Sequence, residues 1–143
     1  MMVSTKGRYA LRVMVDLAEH QQEGFVPLKQ IARRQEVSEK YLEAVLKVLV
    51  RAGFLVGLRG KGGGYRLGKN PEDYTVASVL ALTEGSLAPV ACLTETHVPC
   101  PKAEYCPTLP MWQAFAELTQ RFFEGYSIRD LAGESLSGDN YVI

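Results

Sequence analysis

The 143-residue sequence has no long uninterrupted apolar run. A helix that crosses a membrane needs about 18 consecutive, mostly apolar residues, and no stretch approaches that length. The first residues lead directly into an amphipathic pattern, without the apolar segment of a signal peptide. We therefore expect a globular protein with no membrane partner and with enough residues to bury a hydrophobic core.

Sequence motifs of common enzymes are absent as well. The glycine cluster at residues 60–64 matches neither the P-loop pattern G-x-x-x-x-G-K-S/T nor the dinucleotide pattern G-x-G-x-x-G. The chain has two histidines, and no serine–histidine–aspartate set or carboxylate pair stands out among its polar residues. These absences predict that the protein is not an enzyme.

Cysteine is scarce: the chain has three, Cys92, Cys100 and Cys106, in a stretch without helical periodicity over residues 85–107. An odd number without a secretion signal argues against a disulfide framework, and the paired C-x-x-C motifs of structural zinc sites are missing. Thiolates bind soft metals and iron–sulfur clusters. The spacing therefore leaves a cluster, zinc and a thiol sensor open, while the loop position argues against cysteines that only pack.

Charge is balanced in the whole chain but not along it. The net charge is zero, yet residues 1–70 hold thirteen Lys and Arg against six Asp and Glu, and residues 71–143 hold three against ten. A basic half joined to an acidic half is expected when only one half meets a polyanion. We therefore expect nucleic acid to contact the first half.

The basic half contains the pattern of a helix-turn-helix. Residues 27–35 and 38–51 read as two helices joined by a tight turn, with Ser38 as the N-cap of the second. In that second helix, apolar residues recur at i, i+3, i+4 and i+7 from Leu42 and form one face. The opposite face carries side chains that reach base edges in a major groove. These are Glu39, Lys40, Tyr41, Glu43, Ala44 and Lys47.

A glycine-tipped hairpin follows the second helix. The short apolar strand 54–56 leads into a cationic tip at residues 59–64, and residues 65–67 return as a second strand. A flat cationic tip suits a minor groove, where Arg59 is held by the negative potential. The predicted fold is mainly α with a small β wing, a winged helix-turn-helix followed by a long C-terminal dimerisation helix.

That C-terminal helix is predicted from residue 108 to residue 124. Its wide aromatic face includes Trp112, Phe115 and Phe122. A small winged domain is expected to offer too little apolar surface to cover so many aromatic side chains. Core packing is the alternative, but we favour a dimer seam. The chain then divides into a DNA-binding domain (1–84), a cysteine-bearing sensor loop (85–107), and a dimerisation helix with its tail (108–143).

Four motifs together resemble a known family. They are STKGRYAL, SEKYLE, VRAGFLVGLRGKGGGYRLGK and the three cysteines before PTLPMW. The sequence is similar to the Rrf-type winged-helix transcription regulators, and the cysteines resemble their cluster-binding, IscR/NsrR-like branch. The resemblance extends to about Leu131.

The resemblance implies a cytoplasmic homodimer that binds double-stranded DNA at a palindromic operator and is expected to act as a repressor. The three cysteines would hold an iron–sulfur cluster, with 2Fe–2S favoured over 4Fe–4S. The cluster would sense iron–sulfur, redox or nitric oxide status. The implied DNA contacts are Ser38, Lys40, Tyr41 and Glu43 at bases or nearby phosphates, Arg59 in the minor groove, and Lys6 and Lys61 at the backbone.

The resemblance assigns no fourth ligand to the cluster. IscR-like regulators carry a histidine at the position of Leu109, and NsrR-like regulators an aspartate at the position of Arg8. His97, a carboxylate from the other protomer and a small exogenous thiol are the candidates. The alternative function is a winged-helix regulator without a cluster, controlled by a protein partner, cysteine oxidation or zinc.

Overall fold

The computed structural model describes residues 2–94 and 100–136, with side chains as far as Gly133. Within these ranges the structure is mainly helical with one two-stranded sheet, which confirms the predicted fold class. The helices and strands, in chain order, are α1 (Thr5–Glu19), α2 (Leu28–Gln35), α3 (Glu39–Arg51), β1 (Leu55–Leu58), β2 (Gly64–Leu67), α4 (Val76–Glu84), α5 (Leu109–Glu124) and α6 (Ile128–Leu136).

Helices α2 and α3 form the helix-turn-helix. Glu36 ends α2 in the left-handed region at φ 54°, and Val37 donates its N–H to the Ala32 carbonyl at 3.1 Å. This αL residue reverses the chain within a few residues. Ser38 then caps α3, because its hydroxyl oxygen accepts the Tyr41 N–H.

Helix α1 lies at the centre of the hydrophobic core. Val13 and Met14 are fully buried, and α1 packs against α2, α3, α4 and α6. The apolar stripe of α3 closes one side of this core with Leu42, Val45, Leu46 and Leu49. The buried stripe of α3 thereby leaves its polar face directed away from the core.

The wing is an antiparallel hairpin that is also tied to the start of α2. β1 pairs with β2 from Leu55 opposite Leu67 to Leu58 opposite Gly64. Tyr65 and Val26 exchange two backbone hydrogen bonds of 2.9 Å. Gly64 has φ 149°, and a Cβ there would collide with the Val26 carbonyl, so this close backbone approach requires glycine.

The chain returns to the core after α5. Ile128 donates its N–H to the Tyr74 carbonyl at 2.9 Å, and α6 buries Ile128 and Ala132. The predicted division at residues 84 and 107 stays a prediction, but α6 packs against α1 rather than extending away with α5. Within the described ranges, no helix combines the length and the apolar character needed to cross a membrane.

Candidate functional site

The first turn of α3 presents predicted contact residues to solvent. Ser38, Lys40 and Glu43 are exposed. Tyr41 is half-buried, and its ring meets Tyr9 of α1 edge to face, with the ring centroids 5.8 Å apart. The aromatic pair therefore fixes the Tyr41 ring and places the start of α3 beside the first half of α1.

A groove of about 710 Å³ separates α3 from the wing. Glu43 and Arg59, which are 16 positions apart in the sequence, both line it, and so does Lys47. The groove also includes Arg51, which was not among the predicted contacts. Its spacing from Lys47, one helical turn, is the signal that would have identified it.

The wing tip and the start of α1 add further cations. Arg59, Lys61 and Lys6 are all exposed. Arg66 is exposed as well, but its guanidinium lies 5.1 Å from the ring centroid of Phe25 in a cation–π contact. The predicted DNA contacts thus lie on α1, α3 and the wing, and their roles stay predictions.

A buried carboxylate holds α2 against α1. Asp16 is 2% exposed and accepts two hydrogen bonds from Arg34, at 2.7 and 2.9 Å, and one from Gln35 at 2.8 Å. The bonded carboxylate raises the pKa of Arg34 above its ordinary value, although partial burial opposes this effect. Arg12 also donates to Gln35 at 2.8 Å, so side-chain bonds fix the angle at which the helix-turn-helix is presented.

The three cysteines line one cavity of about 300 Å³ at the amino-terminal end of α5. Cys92 is exposed in a 3-10 turn, while Cys100 and Cys106 are half-buried. The cavity also contains Gln113, a polar residue of α5 that the sequence had not suggested. Gln113 follows Leu109, which also lines the cavity, by one helical turn, and this spacing is the sequence signal that could have identified it.

The environment of Cys106 favours its thiolate form. Its Sγ lies 3.4 Å from the Thr108 hydroxyl, just before the start of α5. Hydrogen bonds from the side chain and the backbone of Thr108 lower the pKa of the Cys106 thiol, with a smaller contribution from Lys102. Cys106 is therefore suited to act as a metal ligand or as a reactive thiolate.

The donor set fits an iron–sulfur cluster in its chemistry, because three thiols face one cavity. In the part of the chain that the structure describes, however, no three His, Cys, Asp or Glu side chains are grouped closely enough to hold a metal ion. Leu109 lines the cavity without a ligand atom. His97, a candidate fourth ligand, lies outside the described residues.

One face of α5 is apolar and uncovered. Phe115 is 43% exposed and Phe122 is 58% exposed, whereas Trp112 is half-buried. Met111 and Leu118 extend the same stripe at helical spacing. We name this surface, formed by Met111, Phe115, Leu118 and Phe122, the α5 face.

The winged helix-turn-helix, its basic groove and the cysteine cavity define a class of DNA-binding regulators. The model of the family described as "Rrf2: Iron-dependent Transcriptional regulator" matches residues 3–134. The chain belongs to this family, so it is a DNA-binding transcription regulator. Family membership confirms the predicted resemblance, and it confirms that the protein is not an enzyme.

Two curated relatives illustrate the similarity. The chain is 37% identical over 131 residues to the HTH-type transcriptional regulator IscR of Aliivibrio salmonicida, covering 92% of this chain and 77% of that protein. It is equally identical over 131 residues to protein rrf2 of Nitratidesulfovibrio vulgaris, with coverage of 92% and 87%.

Solved structures show the same fold. CymR, described as the global cysteine regulator of B. subtilis, superposes with a TM-score of 0.76 at 32% identity, covering 93% of this chain and 97% of that one. IscR from T. potens superposes with a TM-score of 0.74 at 31% identity, with coverage of 100% and 93%. The sequence identity of the chain to this CymR is thus about the same as its identity to this IscR.

Proposed function

We propose that this Rrf2-family regulator binds a palindromic operator as a homodimer and senses iron–sulfur, redox or nitric oxide status through a cysteine-ligated cluster. The observation that carries the proposal is that Cys92, Cys100 and Cys106 line a single cavity. Relatives named IscR and a family described as iron-dependent support it. Location in the cytoplasm and action as a repressor remain part of the prediction.

The three thiolates would hold the cluster, and a bound cluster supplies reversible one-electron chemistry and sensitivity to oxidants. Thr108 stabilises the thiolate form of Cys106, and a cysteine must be in this form to bind a metal. Gln113 and Leu109 shape the wall of the cavity formed by α5. The 2Fe–2S form remains favoured over 4Fe–4S by the resemblance, and the fourth ligand stays open.

The position of the cavity connects sensing with DNA binding. The segment from Gly85 to Pro107 joins the end of α4, in the DNA-binding part, to the start of α5. Two recognition helices must lie about 34 Å apart to occupy successive half-sites of a palindrome. A change at the cysteines that tilts α5 relative to α4 would therefore change the spacing of the two α3 helices in a dimer.

The test is anaerobic reconstitution with ferrous iron and sulfide, followed by iron and sulfide quantification and a visible absorbance spectrum. We expect cluster absorbance in the wild type and its loss in Cys92→Ser, Cys100→Ser and Cys106→Ser. Thr94→Val is the matched control, since it changes the same segment without removing a thiol. A colourless, iron-free wild-type protein would overturn the cluster proposal.

Regulation without a cluster is a second candidate. The lowered pKa of Cys106 and the exposure of Cys92 favour thiol chemistry, and no metal-ligand group is assembled among the described residues. Control by zinc or by a protein partner belongs to this alternative. Oxidant-dependent DNA binding by iron-free protein, lost in Cys106→Ser, would favour it. Stoichiometric zinc, or capture of one stoichiometric protein partner, would identify the other two forms.

A further inference from the structure

A carboxylate from the end of α4 contacts the amino-terminal end of α1. Glu84 is the last residue of α4, and Ser4 is the N-cap of α1. Oε1 of Glu84 accepts the Ser4 backbone N–H at 2.7 Å and the Ser4 hydroxyl at 2.8 Å. The two residues are 80 positions apart, so only the tertiary fold creates this contact.

The electrostatics of this contact favour α1 rather than α4. A carboxylate at the carboxyl end of its own helix faces the negative end of the helix dipole, which is unfavourable. The same carboxylate at the amino-terminal end of α1 faces the positive end and binds a free N–H group. The Ser4 hydroxyl, while it donates to Glu84, also accepts the Gly7 N–H at 3.0 Å. Glu84 therefore orients the N-cap of α1.

Gly7 provides the space for this contact. A Cβ at Gly7 would overlap Oε1 of Glu84 and lie 3.1 Å from the Thr83 hydroxyl oxygen. Gly7 lies within α1 and lacks a positive φ, so the close approach, and not backbone freedom, explains the absence of a side chain. Ser4, Gly7 and Glu84 together form what we name the α1–α4 clasp.

The clasp lies between the two functional regions of the chain. On one side, Gly85 ends α4 at φ 74° and opens the segment that carries Cys92. On the other side, the exposed Lys6 follows Ser4 by two residues, and Tyr9 contacts Tyr41 of the recognition helix. Because Glu84 precedes Gly85 and bonds Ser4, a movement of the chain at Gly85 would reach the first turn of α1 through these two residues.

We propose that Glu84 is a positioning residue that couples the start of the cysteine-bearing segment to the DNA-facing first turn of α1. This inference rests on the proposed function, since it assumes that Lys6 contacts a phosphate and that the cysteines respond to a signal. Among the described residues, Glu84 bonds Ser4 and no cysteine, so it would act through Ser4.

Hydrogen exchange measured by mass spectrometry on the full, metal-free chain tests the clasp without a cluster or DNA. We expect Glu84→Ala to accelerate exchange in residues 2–10 about tenfold, since a hydrogen bond to a charged group is lost. Ser4→Ala is expected to accelerate exchange in residues 85–94. Glu84→Gln retains an acceptor oxygen and is expected to restore most of the protection.

Alkylation of the cysteines with N-ethylmaleimide tests the direction of the coupling. The adducts perturb the cysteine-bearing segment chemically, without any cluster. We expect the alkylated wild type to change its exchange in residues 2–10, and the alkylated Glu84→Ala protein to show no additional change. An equal response in both proteins would overturn the coupling.

DNA affinity distinguishes the positioning role of Glu84 from the general effect of removing a negative charge, because the two predict changes of opposite sign. The probe is duplex DNA selected by the wild-type protein from a random library. Removal of an acidic residue normally strengthens DNA binding, and the exposed Glu72 provides this control as Glu72→Ala. Glu84→Ala is instead expected to weaken binding about three- to tenfold and to reduce the salt slope by about one per protomer.

A double variant connects the effect to Lys6. In a Lys6→Ala background, Glu84→Ala is expected to cause little further loss, because the cation that it positions is absent. Full additivity, or unchanged affinity and exchange in Glu84→Ala, would overturn the inference. Failure of the proposed function is recognised separately, because the reconstituted wild type would then be colourless and iron-free, or would select no palindromic DNA. The exchange experiments still decide the clasp in that case.

Discussion

Among single residues, Arg59 is the wing cation that lies beside the recognition helix α3. It is exposed at the hairpin tip and lines the same groove as Glu43. A guanidinium in a narrow minor groove is held by the negative potential there, which depends on groove width rather than on hydrogen bonds to bases. The same potential is weaker in G·C-rich sequences.

We therefore expect Arg59→Ala to weaken operator binding about tenfold or more and to relax the preference for a narrow minor groove. Fluorescence anisotropy with operators that differ in A·T content at the flank measures both effects. Arg129→Ala is the matched control, since Arg129 is exposed but belongs to the acidic half of the chain. Equal affinity of the wild type and Arg59→Ala across all flanks would exclude the wing contact.

Asp16 determines how rigidly the helix-turn-helix is held. Its replacement by alanine leaves Arg34 and Gln35 without their shared acceptor. Loss of one partner from a buried ion pair costs about 3–5 kcal/mol, but the Arg34 side chain is 30% exposed and can turn to water. We expect a loss of about 2 kcal/mol in the free energy of unfolding.

Urea unfolding followed by circular dichroism measures this loss. The control is Glu23→Ala, which removes a carboxylate from an exposed position near the same arginine. A change in Asp16→Ala no larger than in the control would show that the bonds to Arg34 contribute nothing to stability.

At the scale of elements, α5 differs from every other long helix in how little it buries. Thr119 is its buried residue, whereas α1 and α3 bury an apolar stripe each. Uncovered apolar stripes of this kind mark interaction surfaces, and a second copy of the same helix satisfies the stripe with two-fold symmetry. The dimer seam stays a prediction, and the α5 face is the surface on which it is tested.

We expect Phe115→Ala and Trp112→Ala each to weaken the dimer about tenfold or more, since buried aromatic residues dominate interface energies. Sedimentation velocity over a concentration series provides the measurement. Phe115 is the cleaner site, because Trp112 is already half-buried within the single chain. Tyr105→Ala, at an exposed aromatic outside α5, is the control. Variants that dimerise as tightly as the wild type would place the seam elsewhere.

In the molecule as a whole, the charge division of the sequence is also a division between elements of the fold. Lys6, Lys40, Arg59 and Lys61 are exposed on α1, α3 and the wing, whereas the acidic half forms α4, α5 and α6. Each phosphate that a cation neutralises releases condensed counterions, so affinity falls with salt in proportion to the number of contacts. A dimer that uses all four cations of each protomer would have a log–log slope of about −7.

Titrations of selected operator DNA at several salt concentrations measure that slope. Lys61→Ala is expected to reduce its magnitude by about one per protomer and to weaken binding to all sequences alike. Lys102→Ala, in the cysteine-bearing segment, is expected to leave the slope unchanged. A wild-type slope near zero would rule out phosphate contacts by the basic half.

The local features of this protein follow from short stretches of its sequence. The Ser38 cap, the apolar stripe of α3 and the glycine-rich hairpin predicted the winged helix-turn-helix, because capping and amphipathic periodicity act over a few neighbouring residues. The same motifs led to the family. Ser38 as the N-cap of α3 is the clearest example, since its hydroxyl bonds the predicted helix start.

Contacts between distant residues become visible only in the folded chain. The return of α6 to α1 and the clasp between Ser4 and Glu84 each join positions that no local pattern relates. The physical reason is that such contacts follow from the packing of whole helices around the core. A helix stripe predicts that a face is buried, but it does not identify the surface that buries it.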